Sequence, residues 1–277
     1  MAVLAMGEIS ESEQENLVSV ACQAADLARD ITLSYFRQPS LIAENKDESG
    51  YDPVTLADKQ AELAIRTLLK DKRPNDAILG EEYGETPGTS GLTWVLDPID
   101  GTRGFVSGTP TWGTLISVRD ADGPLMGLID QPYIGERFLG GFGFSELRRG
   151  GQVSALSVRP TAALNKAILL STFPEIGTST EREIFEKLSN EVQLTRYGMD
   201  CYGYALLAAG TVDLVVEAGL NAYDIQAPIA VIQAAGGIVT DWHGNPAHEG
   251  GRALAASCTA IHRAALEVLS KIEPAQN

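Results

Sequence analysis

The chain has 277 residues, enough for one large hydrophobic core or two modest ones, and its 44% hydrophobic and 21% charged residues are ordinary for a soluble globular protein. Lys and Arg number 21 against 37 Asp and Glu, and the formal net charge of -16 argues against nonspecific binding to nucleic acid or to an anionic membrane surface. An anionic substrate would therefore need a local cation at its binding site.

The start of the chain and its cysteines favour a cytoplasmic protein. Four glutamates precede the first basic residue, Arg29, a pattern unlike a signal or transit peptide. The longest apolar stretch, residues 228–239, is interrupted by Gln233 and is too short to span a bilayer. The three cysteines are far apart, so neither a disulfide framework nor a CxxC site is predicted.

The first half of the chain predicts two helices followed by several short strands. Apolar residues recur at helical spacing over 12–36, and a second helix is predicted to begin at Thr55. Short apolar runs predict strands over 77–80, 93–96, 113–119, 124–130 and 137–140, with a hairpin loop at 120–123.

After Gly150 and Gly151 the pattern changes to alternating strands and helices. There is no internal repeat or long linker, so the sequence predicts a single mixed α/β unit over residues 1–277. A soft boundary near residue 150 would divide it into an N-terminal metal-binding half, 1–150, and a C-terminal α/β half, 151–277. The predicted strands cover 168–172 and 214–217, and the predicted helices cover 180–189, 202–209, 225–235 and 258–272.

The stretch WVLDPIDGTR, residues 94–103, ends a predicted strand on two carboxylates. Side chains alternate along a strand, so Asp97 and Asp100 can meet on one side only if the chain bends between them. Two such carboxylates repel each other unless a cation lies between them, and oxygen ligands favour a hard ion such as Mg²⁺. A simple turn that caps the next helix is the alternative, but Glu81 and Glu82 end another short strand nearby in sequence.

Gly101 and Thr102 add two features that suit a phosphate group. Successive backbone N–H groups at a turn or helix start can cradle a phosphate oxygen, and a threonine hydroxyl beside a bound metal can orient a water molecule. Carboxylates, amides and a hydroxyl in this order predict metal-assisted hydrolysis of a phosphoester.

These residues resemble the signatures of the inositol monophosphatase superfamily. The first signature is matched by GEE at 80–82 followed by DPIDGT at 97–102, and the second by YDI at 223–225 followed by AAGG at 234–237. The resemblance extends over about residues 13–270. It implies a layered αβαβα sandwich of the inositol monophosphatase and fructose-1,6-bisphosphatase type, commonly a homodimer, that hydrolyses phosphomonoesters with two or three Mg²⁺ ions.

The resemblance also implies roles for individual residues. Glu81, Asp97 and the backbone carbonyl of Ile99 would hold one metal ion, while Asp97, Asp100 and Asp224 would hold a second. Glu81 and Thr102 would orient the attacking water. The phosphate end of the substrate site would be formed by Asp100, Gly101, Thr102 and Asp224.

Two further positions match the family but have simpler alternatives. Asp58 matches the position of a weaker third metal, although an acid in the first turn of a helix is equally expected there. Lys46 matches a basic position in a mobile loop, although a single exposed lysine is ordinarily only solvated.

The sequence is more similar to the histidinol-phosphate phosphatases of this superfamily than to its inositol phosphatases. The likeness lies in residues 97–113 and 196–203. Asp200 and Glu217 would face the leaving group, where two acids suit an ammonium or an imidazolium group. A helix N-cap is the alternative for Asp200. Arg196 would shape the same pocket or reach it from a neighbouring subunit, with a surface salt bridge as its alternative.

The sequence therefore predicts a histidinol-phosphate phosphatase of histidine biosynthesis. An inositol-1-phosphate or other sugar-phosphate phosphatase is the first alternative, because the metal chemistry would be the same. A non-catalytic regulatory or scaffold protein on the same fold is a more distant alternative, which the loss of a metal carboxylate would favour. None of the four expected carboxylates is lost.

Overall fold

The computed structural model describes residues 9–39, 43–45 and 53–272, so Lys46 lies outside the described residues. Seven α-helices and one short 3-10 helix, 164–166, occur in this part of the chain. The α-helices are α1 (Glu11–Tyr35), α2 (Leu56–Lys72), α3 (Thr102–Ser107), α4 (Ser179–Ser189), α5 (Asp200–Ala208), α6 (Ala222–Ala234) and α7 (Thr259–Leu269).

Fifteen strands accompany the helices within the described ranges. They are β1 (Ala43–Asn45), β2 (Pro53–Thr55), β3 (Ala77–Gly80), β4 (Gly84–Thr86), β5 (Thr93–Asp100), β6 (Gly113–Arg119), β7 (Pro124–Gln131), β8 (Glu136–Gly141), β9 (Phe144–Arg149), β10 (Gln152–Ala155), β11 (Ile168–Ser171), β12 (Leu194–Tyr197), β13 (Leu214–Leu220), β14 (Ile238–Thr240) and β15 (Gly251–Ala256).

The strands form three sheets. Strands β1 and β2 make a short antiparallel pair. The largest sheet has the order β10-β9-β8-β7-β6-β5-β3-β4 and is antiparallel except for the parallel pair of β3 and β5. The third sheet has the order β12-β11-β13-β15-β14, with β11 parallel to both of its neighbours.

The helices and the two large sheets stack in five layers. Helices α1 and α2 pack on one face of the eight-stranded sheet, and α5 and α6 lie between the two sheets. Helices α4 and α7 cover the outer face of the five-stranded sheet. The predicted αβαβα sandwich is confirmed.

The apolar pattern of the sequence explains the outer and inner helices differently. Helix α1 buries one stripe that includes Leu17, Ala21 and Ala24, as an amphipathic surface helix should. Helix α6 is apolar on nearly all sides because a sheet covers each of its faces. A Cβ on Gly127 would lie 2.3 Å from the carbonyl oxygen of Ala227, so this glycine lets α6 approach the eight-stranded sheet closely.

Most predicted bounds agree with the structure to within three residues. The exception is β5, which continues four residues beyond residue 96, through the acidic motif. The sequence did not predict the short helix α3 or the strands β1, β2, β4, β9, β10, β12, β14 and β15, several of which are short or exposed and show no clear alternation. The division of the chain near residue 150 stays a prediction. No helix in the described ranges is long and apolar enough to cross a membrane.

Candidate active site

A cavity of about 290 Å³ opens where strands of both large sheets end. Residues of β5, α3, β13 and the start of α6 contribute to its wall, and both predicted ends of the site meet there. Asp58 and Arg196 do not line the cavity. The predicted site residues that line it are Glu81, Asp97, Ile99, Asp100, Gly101, Thr102, Asp200, Glu217 and Asp224.

A bulge in β5 brings the two carboxylates of the motif together. The register between β5 and β6 shifts between Asp97 and Asp100, which releases these residues from strict alternation. The bent backbone is held by hydrogen bonds, from the Thr114 hydroxyl to the carbonyl of Pro98 at 2.7 Å and from the Ile99 N–H to Asp97 at 3.0 Å. The bend expected from the sequence is therefore present.

Three carboxylates converge at this bulge. Oxygen atoms of Asp97, Asp100 and Asp224 all lie within 4.8 Å of one another. Asp224 comes from the first turn of α6, where it also accepts a hydrogen bond from the N–H of Asn221 at 2.7 Å. Asp100 accepts a hydrogen bond from the N–H of Cys201 at 2.6 Å, which links β5 to the start of α5.

Glu81 completes the acidic group from a neighbouring strand. Strands β3 and β5 run parallel with Gly80 opposite Leu96, so their carboxyl ends reach the same edge of the sheet. The N–H of Glu81 donates to the carbonyl of Leu96 at 3.2 Å. The Glu81 side chain lines the cavity, whereas Glu82 does not.

The crowding of these acids makes their ionisation unfavourable. The pKa of Asp97 is raised well above its usual value, first by burial and then by the charges of Glu81, Asp100 and Asp224. The pKa of Asp100 is likewise raised by burial, with the charges of Asp200 and Asp224 adding to the effect. An all-oxygen donor set with surplus negative charge fits a hard divalent cation such as Mg²⁺.

Thr102 lies at the start of α3, directly after Gly101, which has a φ of 82°. Its hydroxyl lies 3.0 Å from the carbonyl of Ile99 and 3.4 Å from a carboxylate oxygen of Asp58, and its one proton can go to either. The other oxygen of Asp58 accepts from the N–H and the hydroxyl of Thr55, at 2.8 Å and 2.6 Å. Asp58 is thus part of the capping box of α2 and also a neighbour of Thr102.

Asp58 is buried, and this burial raises its pKa to about 6, although the hydrogen bonds from Thr55 lower it. The charge of Glu81 adds to the increase. Asp58 is the first-turn acid that the sequence analysis gave as the alternative, and its role toward a third metal stays a prediction.

Two further acids, Asp200 and Glu217, also line the cavity. Glu217 accepts hydrogen bonds from the N–H of Thr172 at 2.6 Å and from its hydroxyl at 2.9 Å. Burial raises the pKa of Glu217 to about 8, opposed by these bonds and assisted by the charge of Asp200. Burial raises the pKa of Asp200 to about 6, opposed by a hydrogen bond from Thr111 and by the positive charge of Arg103.

Asp200 does not cap its helix, contrary to the alternative considered from the sequence. The N-cap of α5 is Met199, and Asp200 is the first helical residue, with an unusual φ of 46°. A Cβ added to Gly101 would lie 2.8 Å from the Cβ and Cγ of Asp200, so the motif glycine makes room for this side chain. A strained backbone that places a carboxylate in a cavity is consistent with a functional role.

Arg196 is not the arginine of this cavity. It is exposed on β12, the edge strand, and β11 separates β12 from the strand that carries Glu217. The cavity is lined instead by Arg103, whose guanidinium carbon lies 4.7 Å from the ring centroid of Phe173. The sequence analysis did not predict that Arg103 and Phe173 line the cavity. Arg103 directly follows the acidic motif, and Phe173 lies two residues after the end of β11. A contact of Arg196 across a subunit boundary stays a prediction.

Comparison with known proteins shows strong similarity to one family. The model of the inositol monophosphatase family matches residues 13–273. The chain is 39% identical over 239 residues to the bifunctional phosphatase IMPL2, chloroplastic, of Arabidopsis thaliana, covering 86% of this chain and 67% of that one. It is 36% identical over 255 residues to a histidinol-phosphatase of Streptomyces coelicolor, covering 87% and 91% of the two chains.

Solved structures show the same relationship. An inositol monophosphatase from Zymomonas mobilis superposes with a TM-score of 0.82 and 36% sequence identity. The match covers 94% of this chain and 99% of that chain, so it includes both large sheets and the cavity between them.

Proposed function

The chain belongs to the inositol monophosphatase family of phosphatases, and we propose that it is a Mg²⁺-dependent hydrolase that converts L-histidinol phosphate and water to L-histidinol and phosphate. The family predicted from the two sequence signatures is confirmed. The proposed substrate rests on one observation above all. Two acids that are not members of the carboxylate group at the bulge of β5, Asp200 and Glu217, also line the cavity.

The donor groups at the bulge suit two Mg²⁺ ions. Glu81, Asp97 and the carbonyl of Ile99 would hold one ion, and Asp97, Asp100 and Asp224 would hold the second. Bound Mg²⁺ would neutralise phosphate charge and lower the pKa of a coordinated water. The raised pKa values of Asp97 and Asp100 support this assignment, because a cation would relieve the repulsion that raises them. A third ion would lie near Asp58.

The chain's own groups would orient the reactants. The Thr102 hydroxyl can accept a hydrogen bond from the attacking water while it donates its proton to Ile99 or Asp58. Glu81 would act on the same water. The N–H groups of Gly101 and Thr102, at the start of α3, would donate to phosphate oxygens.

The leaving group of histidinol phosphate carries an ammonium and an imidazole. Asp200 and Glu217 would accept hydrogen bonds from the ammonium group and from the imidazole, which can be protonated, and their negative charge would repel a second phosphate. The hydroxyl of Thr172 would hold Glu217 in place, since it already donates to that carboxylate. Arg103 and Phe173 would form the outer wall of this end of the cavity.

A comparison of three substrates tests the assignment. Purified protein with Mg²⁺ would be supplied separately with histidinol phosphate, inositol 1-phosphate and a bisphosphorylated nucleotide, and kcat/KM would be measured for each. We expect the highest value for histidinol phosphate. A higher value for inositol 1-phosphate would replace the proposed substrate but leave the phosphatase reaction in place.

An inositol- or sugar-phosphate phosphatase is the second candidate. It is favoured by the likeness to the Zymomonas mobilis inositol monophosphatase over nearly the whole chain. In that case Glu217 would accept hydrogen bonds from sugar hydroxyls.

The proposal also includes a homodimer and a cytoplasmic location. Neither of these affects the comparison of the three substrates.

A further inference from the structure

The turn that carries Glu81 is held from behind by a buried carboxylate of α2. Glu62 has no exposed surface, and its two oxygens accept the N–H of Glu82 at 2.7 Å and the N–H of Tyr83 at 3.2 Å. The N–H of Glu81 itself donates to Leu96 on the neighbouring strand. Three successive N–H groups are therefore fixed by one carboxylate and one strand carbonyl.

Arg66 completes this support from the next turn of α2. Its Nε donates to Glu62 at 2.7 Å, and its two terminal nitrogens donate to the carbonyl of Gly84 at 2.5 Å and to the hydroxyl of Thr86 at 2.9 Å. The Arg66 side chain is only 12% exposed. The charge of Glu62 is thus paired with that of Arg66. The same guanidinium also forms hydrogen bonds with two residues of β4, which follows the turn.

Gly80 shows how closely Glu62 approaches the turn. A Cβ at this position would lie 2.1 Å from a carboxylate oxygen of Glu62 and 2.8 Å from a terminal nitrogen of Arg66. Gly80 does not have a positive φ, so backbone conformation does not explain the glycine. The glycine before Glu81 is explained by the space that the buried ion pair occupies.

We propose that Glu62 is a positioning residue that fixes Glu81 for metal binding and catalysis, with Arg66 as its ion-pair partner. This inference rests on the proposed metal-dependent activity. Glu81 directly follows β3, the parallel neighbour of β5. The orientation of its side chain depends on the turn of three residues that connects β3 to β4. Groups behind metal ligands typically change metal affinity or activity by about 10- to 100-fold when they are removed.

Glu62→Gln tests the proposal because it keeps the volume but presents an NH₂ group to one of the two N–H donors. Mn²⁺ titration followed by electron paramagnetic resonance measures metal binding without turnover. We expect the Mn²⁺ dissociation constant to rise by about 10- to 100-fold. At saturating metal, kcat should fall while KM changes little, because the substrate does not contact Glu62.

A matched control is available at the other end of α2. Asp76 is also buried, pairs with Arg73 at 2.7 Å and accepts from the indole N–H of Trp94 at 2.9 Å, but it does not line the cavity. Asp76→Asn should lower the midpoint of thermal unfolding without changing the Mn²⁺ dissociation constant. Circular dichroism would show whether each variant keeps its fold.

Arg66→Lys provides a second test if Glu62→Gln does not fold. It keeps the positive charge but loses the fork that reaches Gly84 and Thr86, so a smaller rise in the Mn²⁺ dissociation constant is expected. Unchanged Mn²⁺ binding in a folded Glu62→Gln, or in Arg66→Lys where Glu62→Gln is unfolded, would overturn the positioning role. Absence of Mn²⁺ binding in the wild-type protein would instead overturn the metal-dependent activity, and the positioning role with it.

Discussion

The cavity contains two sets of acids: the proposed metal end, at the bulge of β5, and the proposed leaving-group end, at Asp200 and Glu217. The two sets differ in how closely their carboxylates are grouped. At the metal end, Asp97, Asp100 and Asp224 lie within 4.8 Å of one another, and the charges of neighbouring acids raise the pKa values of Asp97 and Asp100. At the leaving-group end, Glu217 and Asp200 each accept hydrogen bonds from hydroxyl or amide groups.

The difference indicates what each end is suited to bind. Carboxylates whose oxygens lie within 4.8 Å of one another suit a small divalent ion, which can contact all of them at once. Asp200 and Glu217 do not belong to that group, and carboxylates on different elements suit an extended organic cation, which can form a hydrogen bond with each of them. Changes at the metal end should therefore affect every substrate, and changes at the other end should distinguish between substrates.

Removal of metal should have the largest effect. A chelator should abolish hydrolysis of every phosphomonoester, because the phosphate would then meet only negative charge at the bulge of β5. Circular dichroism should show that most of the fold persists, and added Mg²⁺ should restore the rate. Full turnover in excess chelator would contradict the two-metal assignment.

Thr102→Val tests water orientation at the metal end. Loss of the hydroxyl should lower kcat by about 10²- to 10⁴-fold, the usual contribution of general base assistance, with little change in KM. Thr111→Val is the matched control, because its hydroxyl donates to Asp200, which is not one of the proposed metal ligands. Similar losses of kcat in both variants would argue that Thr102 has no special role toward the water.

Glu217→Gln tests whether burial raises the pKa of Glu217, because a raised pKa makes the free energy of unfolding depend on pH. The folded pKa of about 8 exceeds the ordinary value of 4.5, so the folded protein binds more protons and loses stability as pH rises from 4.5 to 8. In metal-free protein the variant should gain stability relative to wild type over this window, on the order of 3 kcal/mol at pH 7. Denaturant unfolding at several pH values measures the difference.

Glu181→Gln is a control of opposite sign. The pKa of Glu181 is lowered by hydrogen bonds from Thr178 and Arg252, which outweigh its burial. Its ionised form therefore stabilises the protein above pH 4.5, and the variant should be less stable than wild type there, with the difference shrinking as the pH falls below that value. For Glu217→Gln, a free energy of unfolding that depends on pH in the same way as that of wild type would contradict the raised pKa of Glu217.

Asp200→Asn should have the smallest effect and the most selective one. A charge-assisted hydrogen bond contributes about 1.5–3 kcal/mol, so kcat/KM for histidinol phosphate should fall by about 10- to 100-fold. Activity on a neutral sugar phosphate should change much less, because the metal end is intact. Equal losses on both substrates would indicate that Asp200 supports the cavity wall without recognising a cation.

The metal end of the site was largely predictable from the sequence. Asp97, Asp100 and Glu81 follow predicted strands directly, and parallel neighbours end at the same edge of a sheet. The α-helices other than α3, and the central strands, were predictable for a similar reason, because their apolar periodicity is a local property of the chain. The short outer strands were not, since an exposed strand such as β10 carries no alternation.

The leaving-group end depended on tertiary structure. Residues 196 and 200 are close in sequence, yet Asp200 enters the cavity through a left-handed turn while Arg196 stays on an edge strand. Arg103 occupies the cavity wall instead, opposite Phe173 from the other sheet. The roles of Gly101 and Gly80 also depend on tertiary structure, because each glycine makes room for a carboxylate that is distant in sequence.

The sequence by itself determined which acids the proposed metal end contains, because acids placed at strand ends and a glycine-containing turn are local features of the chain. Only the tertiary structure decided which groups face those acids. That arrangement depends on how closely helices and sheets approach one another, and the approach is set by contacts such as that between Gly127 and α6, which no local pattern records.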